Sequence, residues 1–349
     1  MNSGAKQLAT WYEKHKRDLP WRHTRDPYHI WISEVILQQT RVAQGLPYYH
    51  RFTTLFPTVE ALANAPQDAV LKCWQGLGYY SRARNMHHTA KLVLSQHAGV
   101  FPKQYSELIK LKGIGPYTAA AVASFANREK VAVVDGNVIR VLARIFLVES
   151  PVDLGQTKKE IQQLADEFLE EPSDLYNQAI MELGALICTP KSPKCQECPV
   201  QVHCLAFAQQ KQNQLPHKQG KTKQRNRYLN YLVIGTEERF YIKQRGEGDI
   251  WAGLYDFPVL ETQQEVNHPA ELGDIWPWLQ QPEIRFDGVS EPYQHQLSHQ
   301  KLHAKFWTYT LDGPITQADW IEVNAGVARQ YPVPKLISNF LERSKLAEK

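Results

Sequence analysis

The chain has 349 residues, with 40 Lys and Arg against 36 Asp and Glu for a formal charge of +4, and 43% of its residues are apolar. Such a length exceeds one ordinary core and predicts two domains; the apolar share excludes a disordered chain, and the mild basicity permits a nucleic-acid partner without requiring one. No apolar run approaches the roughly 18 residues of a membrane helix, and the polar stretch from Met1 to Tyr12 lacks a signal-peptide core. The expected location is therefore the cytoplasm, beside the nucleoid in a bacterium, with no membrane partner.

From Ala5 to about residue 210, apolar residues recur every three or four positions, as at Leu142, Ile145 and Phe146. This predicts a mainly helical domain over 1–210. Breaks at Phe56-Pro57, Ala65-Pro66, Gly76-Leu77-Gly78, Phe101-Pro102 and Gly113-Ile114-Gly115-Pro116 divide it. Asp26 and Pro27 read as the N-cap and first residue of a helix that carries Glu34 among Trp31, Ile32, Val35, Ile36 and Leu37. A carboxyl in apolar surroundings tends to keep its proton and can act as a general acid; on an amphipathic surface the same residue would be an ordinary glutamate.

The run Leu111 to Ala119 reads as a helix, a Gly-x-Gly turn and a second helix that starts on Pro116. Lys112, Gly113, Ile114 and Gly115 are candidates to anchor a DNA phosphate, because the first amides of a helix point outward with a positive dipole. Asp135, in Val133-Val134-Asp135-Gly136-Asn137, follows about twenty residues later; alone it reads as the cap of a helix entering at Val138.

Four of the five cysteines form the pattern Cys-x6-Cys-x2-Cys-x5-Cys at Cys188, Cys195, Cys198 and Cys204, and Cys73 stands apart as a small buried hydrophobe. Clustered thiols in a chain without a secretion signal point to metal rather than disulfides. Both a [4Fe-4S] cluster and tetrahedral zinc fit four thiolates; the uneven spacing, with one Cys-x2-Cys pair, favours the cubane. Pro190, Lys191, Pro193, Lys194 and Pro199 make the loop stiff and positive. Nothing nearby suggests electron chemistry, so the loop is expected to staple the domain rather than to react.

Residues 211–227 are polar and carry Lys218, Lys221, Lys223, Arg225 and Arg227. They read as an exposed basic linker, a solvated tether that in its sharper reading also touches phosphates. Beyond them come β-like runs at 228–234, 239–243 and 301–311, with turns at Trp251 to Leu254 and at Asp287-Gly288. The region 228–349 is therefore expected to be a separate α+β domain.

The hairpin, the aspartate after it and the cysteine spacing together resemble the endonuclease III superfamily of base-excision glycosylases. Within it, Leu19-Pro20-Trp21, Ser33-Glu34-x-x-Leu37-Gln38-Gln39-Thr40, the run from Gly76 to Asn85 and Met181-Glu182-Leu183-Gly184-Ala185 resemble the MutY adenine glycosylases. The resemblance implies a helix-hairpin-helix six-helix barrel with an iron–sulfur module (cluster loop 188–204), and a Nudix-like domain for lesion recognition over 228–349. It implies a [4Fe-4S] cluster on the four cysteines and a cation at the hairpin. The partner would be duplex DNA with adenine opposite 8-oxoguanine or guanine, bound by a monomer.

The same resemblance assigns roles. Glu34 would protonate adenine at N7, and Asp135 would stabilise the sugar cation, with Tyr117 and Asn137 orienting Asp135 and the attacking species. Arg17, Leu19, Trp21, Arg22 and Glu182 would line the adenine pocket. Gln39 and Tyr79 would fill the helix and probe the opposing base. Leu297, Ser298 and His299 match a Phe-Ser-His turn that reads 8-oxoguanine, with leucine in place of the aromatic. Members that nick DNA carry a lysine where this chain has Tyr117, and a tyrosine cannot form an imine, so plain hydrolysis is expected. The magnesium box of active Nudix hydrolases is absent from the sequence, which favours recognition over hydrolysis in that domain. Two rivals remain at this point. A bifunctional glycosylase/lyase is opposed by Tyr117 and the extra domain; an idle DNA-binding cluster protein is opposed by the presence of both Glu34 and Asp135.

Overall fold

The computed structural model describes residues 2–220, 224–236, 238–313 and 319–344. The chain divides into two compact units, one of Met1–Asn64 with Asn85–Gly220 and one of Ala65–Arg84 with Lys221–Lys349. No helix among the described residues is long and apolar enough to cross a membrane.

The first unit is helical. Its central helix, Pro27–Leu37, starts as the sequence predicts: Asp26 accepts from the Tyr28 amide at 2.8 Å and Pro27 fills the first turn. From Pro27 to Ile36 only His29 escapes burial, so the helix has no polar face and lies inside the unit. It packs on the helix Pro116–Asn127, where the run Ala119–Ala123 is fully buried and its short side chains allow close approach. The helix Gly136–Ile145 is one-sided: Val138, Val141, Leu142 and Ile145 join Leu8, Trp11 and Leu183 in the main core. It crosses Ser173–Leu186 closely at Gly184, where an added Cβ would stand 2.7 Å from the Cβ of Asn137. That small residue brings the elements bearing Asn137 and Glu182 together.

The second unit is built on a mixed sheet. Its strands are β1 Arg225–Gly235, β2 Phe240–Gln244, β3 Tyr255–Asp256, β4 Val259–Thr262, β5 Ile284–Val289, β6 Tyr293–Gln296, β7 Gln300–Leu311 and β8 Trp320–Val323. The main order is β3-β2-β1-β7-β5, with β4 on β1, β6 on β7 and β8 on β2. β1 and β7 pair in parallel from Arg225 opposite Gln300 to Gly235 opposite Thr310. Both faces of β1 are covered. Leu229, Tyr231 and Val233 pack with Phe257, Phe306 and Phe340 on one side, and Leu232 and Ile234 with Trp307 and Tyr309 on the other. Two-sided burial explains why the strand reads as a continuous apolar run.

Three expectations change. The stretch 211–227 is not a free tether at either end. Lys211 pairs with Glu149 at 2.6 Å, and Arg144 donates to the carbonyl of Leu215 at 3.0 Å, which docks this part on the helical unit. Arg225 and Arg227 already belong to β1, and Arg227 is buried, gripping Asp249 at 2.6 and 2.8 Å and Glu261 at 2.7 and 2.5 Å. Strand alternation turns Arg227 to the same side as Leu229 and Tyr231, where a cation persists only when paired. Lys221 and Lys223 lie outside the described residues. Asp287-Gly288 forms no turn; it falls inside β5, at a register shift against β7 between Phe286 and Gly288. Finally, residues 65–84 group with 221–349 and not with the helices around them in the sequence.

Candidate active site

A cavity of about 980 Å³ opens in the helical unit, and Arg17, Leu19, Trp21, Arg22, Glu34, Gln39, Tyr117, Asp135, Asn137 and Glu182 all line it. Residues read from five separate stretches of sequence therefore meet around one space.

Glu34 hangs from the central helix and is 5% exposed. Burial pushes its carboxyl up to about 7; the Tyr117 hydroxyl, which donates to Oε2, pulls it down, and the charge of Asp135 raises it further. Burial likewise raises the Tyr117 phenol well above its ordinary value, so it stays a donor. The sequence reading attached Tyr117 to Asp135. The structure instead gives its hydroxyl to Glu34, because Pro116–Asn127 is the helix packed directly on Pro27–Leu37.

Asp135 caps the helix Gly136–Ile145 through Oδ1, which accepts from the Val138 amide at 2.7 Å, while Oδ2 accepts from Asn137 Nδ2 at 2.8 Å. Burial raises its pKa, and these bonds to the charged form oppose the rise. The sequence reading paired Asn137 with Asp135, and this hydrogen bond joins them. Two residues that the sequence reading passed over complete this side. Arg140 donates to Asn137 Oδ1 at 2.9 Å, to the Gly184 carbonyl at 2.8 Å and to the Cys188 carbonyl at 2.7 Å. Arg144, one turn on, donates to Cys188 Sγ at 3.2 Å and to the Thr189 carbonyl at 2.8 Å. The spacing Asn137, Arg140, Arg144 on one helical face, in an otherwise apolar run, was the available signal.

Glu182 lines the same cavity and is 1% exposed. Burial alone would raise its pKa, but Arg17 and Arg22 overcome that and hold the carboxyl at about 2. Arg17 donates to it from Nε at 2.9 Å, from Nη2 at 2.6 Å and from its backbone amide at 2.9 Å, and Arg22 from Nη2 at 2.8 Å. Leu19 is buried beside them and the Trp21 ring meets Tyr49 edge-on at 5.2 Å. Gln39 lines the same cavity on a left-handed backbone, φ 59°, which non-glycine residues adopt mainly under constraint.

At the hairpin, Gly113 needs its glycine: φ is 91°, and a Cβ would stand 2.9 Å from Asn85 Cβ. Thr89 donates to the Lys112 carbonyl and fixes the turn, leaving Lys112, Gly113 and Gly115 exposed. Gly115 is the N-cap of the helix that starts on Pro116. Ile114 differs from its sister positions. Its side chain is buried and its amide is spent on the Leu111 carbonyl at 3.1 Å, so it pins the turn from inside.

Cys188, Cys195, Cys198 and Cys204 face one chamber walled by Val141, Leu183, Val200 and Phe207. Among the described residues no three His, Cys, Asp or Glu side chains converge tightly enough for a single metal ion. Four thiols facing one chamber from a single loop, with the spacing x6, x2 and x5, suit a [4Fe-4S] cubane. Burial pushes Cys198 up to about 12 and raises Cys195 and Cys204, so their thiolates need the positive charge that iron supplies. When bound, the cluster cross-links the loop.

In the sheet unit, Leu297, Ser298 and His299 form the tip of the β6–β7 hairpin, closed by the Leu297 amide on the Gln300 carbonyl at 2.8 Å. Leu297 is half-buried and packs against the inner core; Ser298 and His299 are exposed. Tyr79 is 49% exposed at φ 47°, a loop tip rather than core, and its hydroxyl is hydrogen-bonded to that of Ser298. The sequence treated these two as separate features; the structure joins them.

The model of the HhH-GPD superfamily of base excision DNA repair proteins matches residues 32–171, that of the iron–sulfur binding domain of endonuclease III residues 188–204, and that of the NUDIX domain residues 230–343. The chain is 34% identical over 306 residues to the adenine DNA glycosylase of Buchnera aphidicola subsp. Baizongia pistaciae, covering 85% of this chain and 83% of that one. It is 33% identical to the mouse adenine DNA glycosylase, covering 87% of this chain and 70% of that one. Among solved structures, a thermostable thymine-DNA glycosylase superposes with a TM-score of 0.55 at 30% identity, over 60% of this chain and 98% of its own. The chain therefore belongs to the adenine DNA glycosylase family, base-excision repair enzymes that join an HhH-GPD domain and an iron–sulfur loop to a NUDIX domain.

Proposed function

We propose that this chain is a monofunctional glycosylase that hydrolyses the N-glycosidic bond of adenine opposite 8-oxoguanine or guanine in duplex DNA, acting as a monomer. The observation that carries this reading is Glu34, a buried carboxyl raised to about 7 and held by a phenol where an imine-forming lysine would stand. A group with that pKa carries a transferable proton at neutral pH.

The adenine must first leave the stack, at a cost of a few kcal/mol. Gln39 and Tyr79 occupy the space it vacates, and Lys112, Gly113 and Gly115 hold a phosphate while the flipped base enters beside Arg17, Leu19, Trp21, Arg22 and Glu182. Glu182, tied to two arginines, is held charged and rigid, which suits it to orient the base rather than to exchange protons. Glu34 transfers its proton to N7 of adenine. The C1′–N9 bond breaks, its electron pair stays with the base, and adenine leaves neutral. The positive charge left on the sugar faces the Asp135 carboxylate, which Val138 and Asn137 orient. Water adds at C1′ and surrenders a proton to a carboxylate. Ser298 and His299 present exposed polar groups to the base opposite the vacancy.

The test is a duplex with adenine opposite 8-oxoguanine, incubated with the enzyme and divided with and without alkali. Strand breaks should appear mainly after alkali. Equal cleavage without alkali overturns the monofunctional reading, and full activity in Glu34→Gln overturns the general acid.

A further inference from the structure

The segment that carries Tyr79 is encoded among the helices of the repair domain, yet its contacts are with the sheet unit. Three side chains tie it there on both flanks of the tip. Before the tip, Lys72 spends its ammonium on three oxygens: Gln75 Oε1 at 2.9 Å, the Arg329 carbonyl at 2.6 Å and the Tyr331 carbonyl at 3.1 Å. Asp68 accepts from the Tyr255 hydroxyl at 3.0 Å. After the tip, Arg84 donates to the Ala252 carbonyl at 2.7 Å. At Gly253 a Cβ would meet Gln67 and Leu71 at 3.3 and 3.4 Å, so that backbone also lies close to the segment.

Between these ties runs a turn outside helix and strand, braced from within by Trp74 Nε1 and Arg82 Nη2, which donate to the Gly78 carbonyl at 2.9 and 3.2 Å. Gly76, Gly78 and Tyr79 all have positive φ, at 102°, 75° and 47°. Those internal bonds fix the shape of the turn, and Arg82 stacks over the Tyr79 ring at 5.6 Å; where the tip stands against the hairpin depends on how its ends are held. The tip ends with Tyr79 bonded to Ser298, and a shift of about 1 Å at either flank would break a contact so dependent on geometry.

We propose that Lys72 is a positioning residue for recognition of the opposing base: by capping the Arg329 and Tyr331 carbonyls it locks the Tyr79 loop to the Ser298 hairpin, so that the two read that base as one device. The inference rests on the 8-oxoguanine reading above. An ammonium that serves three acceptors can do this where a neutral side chain of equal length cannot.

The experiment compares single-turnover adenine excision opposite 8-oxoguanine and opposite guanine in wild type, Tyr79→Ser, Lys72→Met, Lys72→Arg and Arg84→Met. Wild type should favour 8-oxoguanine and Tyr79→Ser should lose that preference; failure of these two controls sinks the underlying reading and not the inference about Lys72. With the controls satisfied, Lys72→Met should lower the rate opposite 8-oxoguanine about 10-fold, lower the rate opposite guanine by much less, and speed amide exchange across residues 76–80. Lys72→Arg, which keeps a charged donor, should recover much of the preference. Arg84→Met should repeat the loss from the other flank, and it carries the test if Lys72→Met does not fold. An unaltered preference in folded Lys72→Met, or an equal loss on both substrates, overturns the proposal.

Discussion

Glu34 and Ser298 each bond a tyrosine hydroxyl, Glu34 with Tyr117 in the helical unit and Ser298 with Tyr79 in the sheet unit, but the surroundings are opposite. In the first pair Glu34 is buried on the central helix and Tyr117 is half-buried against it, and burial moves the Glu34 carboxyl up to about 7. The second pair stands at two exposed loop tips. Desolvation turns an ordinary carboxyl into a proton donor, whereas exposure leaves a pair free to exchange its hydrogen bonds. The first arrangement suits the proton transfer proposed for Glu34, and the second the base recognition proposed for Ser298.

The sharpest way to break this contrast is Glu34→Gln. It keeps the shape and removes the proton, and excision should fall by about 10³-fold or more in single-turnover assays. Stability should respond in the other direction. The folded-state pKa of Glu34 lies above its unfolded value, so its stabilising contribution is complete below about 4.5 and is lost as pH rises through about 7. Denaturant unfolding of wild type should therefore weaken between pH 5 and pH 8 by on the order of 3 kcal/mol more than that of Glu34→Gln. Equal pH slopes would contradict the raised pKa.

Tyr117→Phe probes the partner. Its hydrogen bond lowers the Glu34 pKa, so its removal should carry the alkaline limb of the excision profile above pH 7, with about a 10-fold slower rate at neutral pH. An unmoved limb would mean that the phenol does not govern the acid. Arg227→Met tests whether the sheet unit too depends on a buried charge. It should cost about 1–3 kcal/mol, towards the lower end because Asp249 and Glu261 are partly solvated, and the loss would be read as a lower melting temperature. The smallest effect is expected at Leu297→Ala. Its side chain is only half-buried against the core, so stability should fall by about 1 kcal/mol. A large loss of 8-oxoguanine preference there, with Ser298 intact, would show that leucine reads the base directly.

Much of this molecule was legible in advance where a short stretch suffices. The Asp26-Pro27 start, the hairpin glycines, the Asp135 cap and the four-cysteine loop are local patterns, and the structure keeps each of them. Ile114 and Arg227 were misread because composition shows neither face nor partner: one turns into the core, the other finds two acids, Asp249 in a loop and Glu261 on β4. Residues 65–84 were assigned by their neighbours in sequence, whereas Lys72, Asp68 and Arg84 commit them to the sheet unit.

What the sequence by itself determined is the kind of parts present: a hairpin, an acid on an apolar helix, a capping aspartate, a thiol loop and a strand-rich tail. Each follows from backbone preference and side-chain spacing within a few residues. Only the tertiary structure decided what those parts become. The Glu34 carboxyl is raised to about 7 by burial among helices far away in the chain, and Tyr117 is given to Glu34 rather than to Asp135 by the packing of two helices. Tyr79 meets Ser298 across 219 positions of sequence. Local rules set which groups exist; desolvation and partner choice depend on contacts that no local stretch contains.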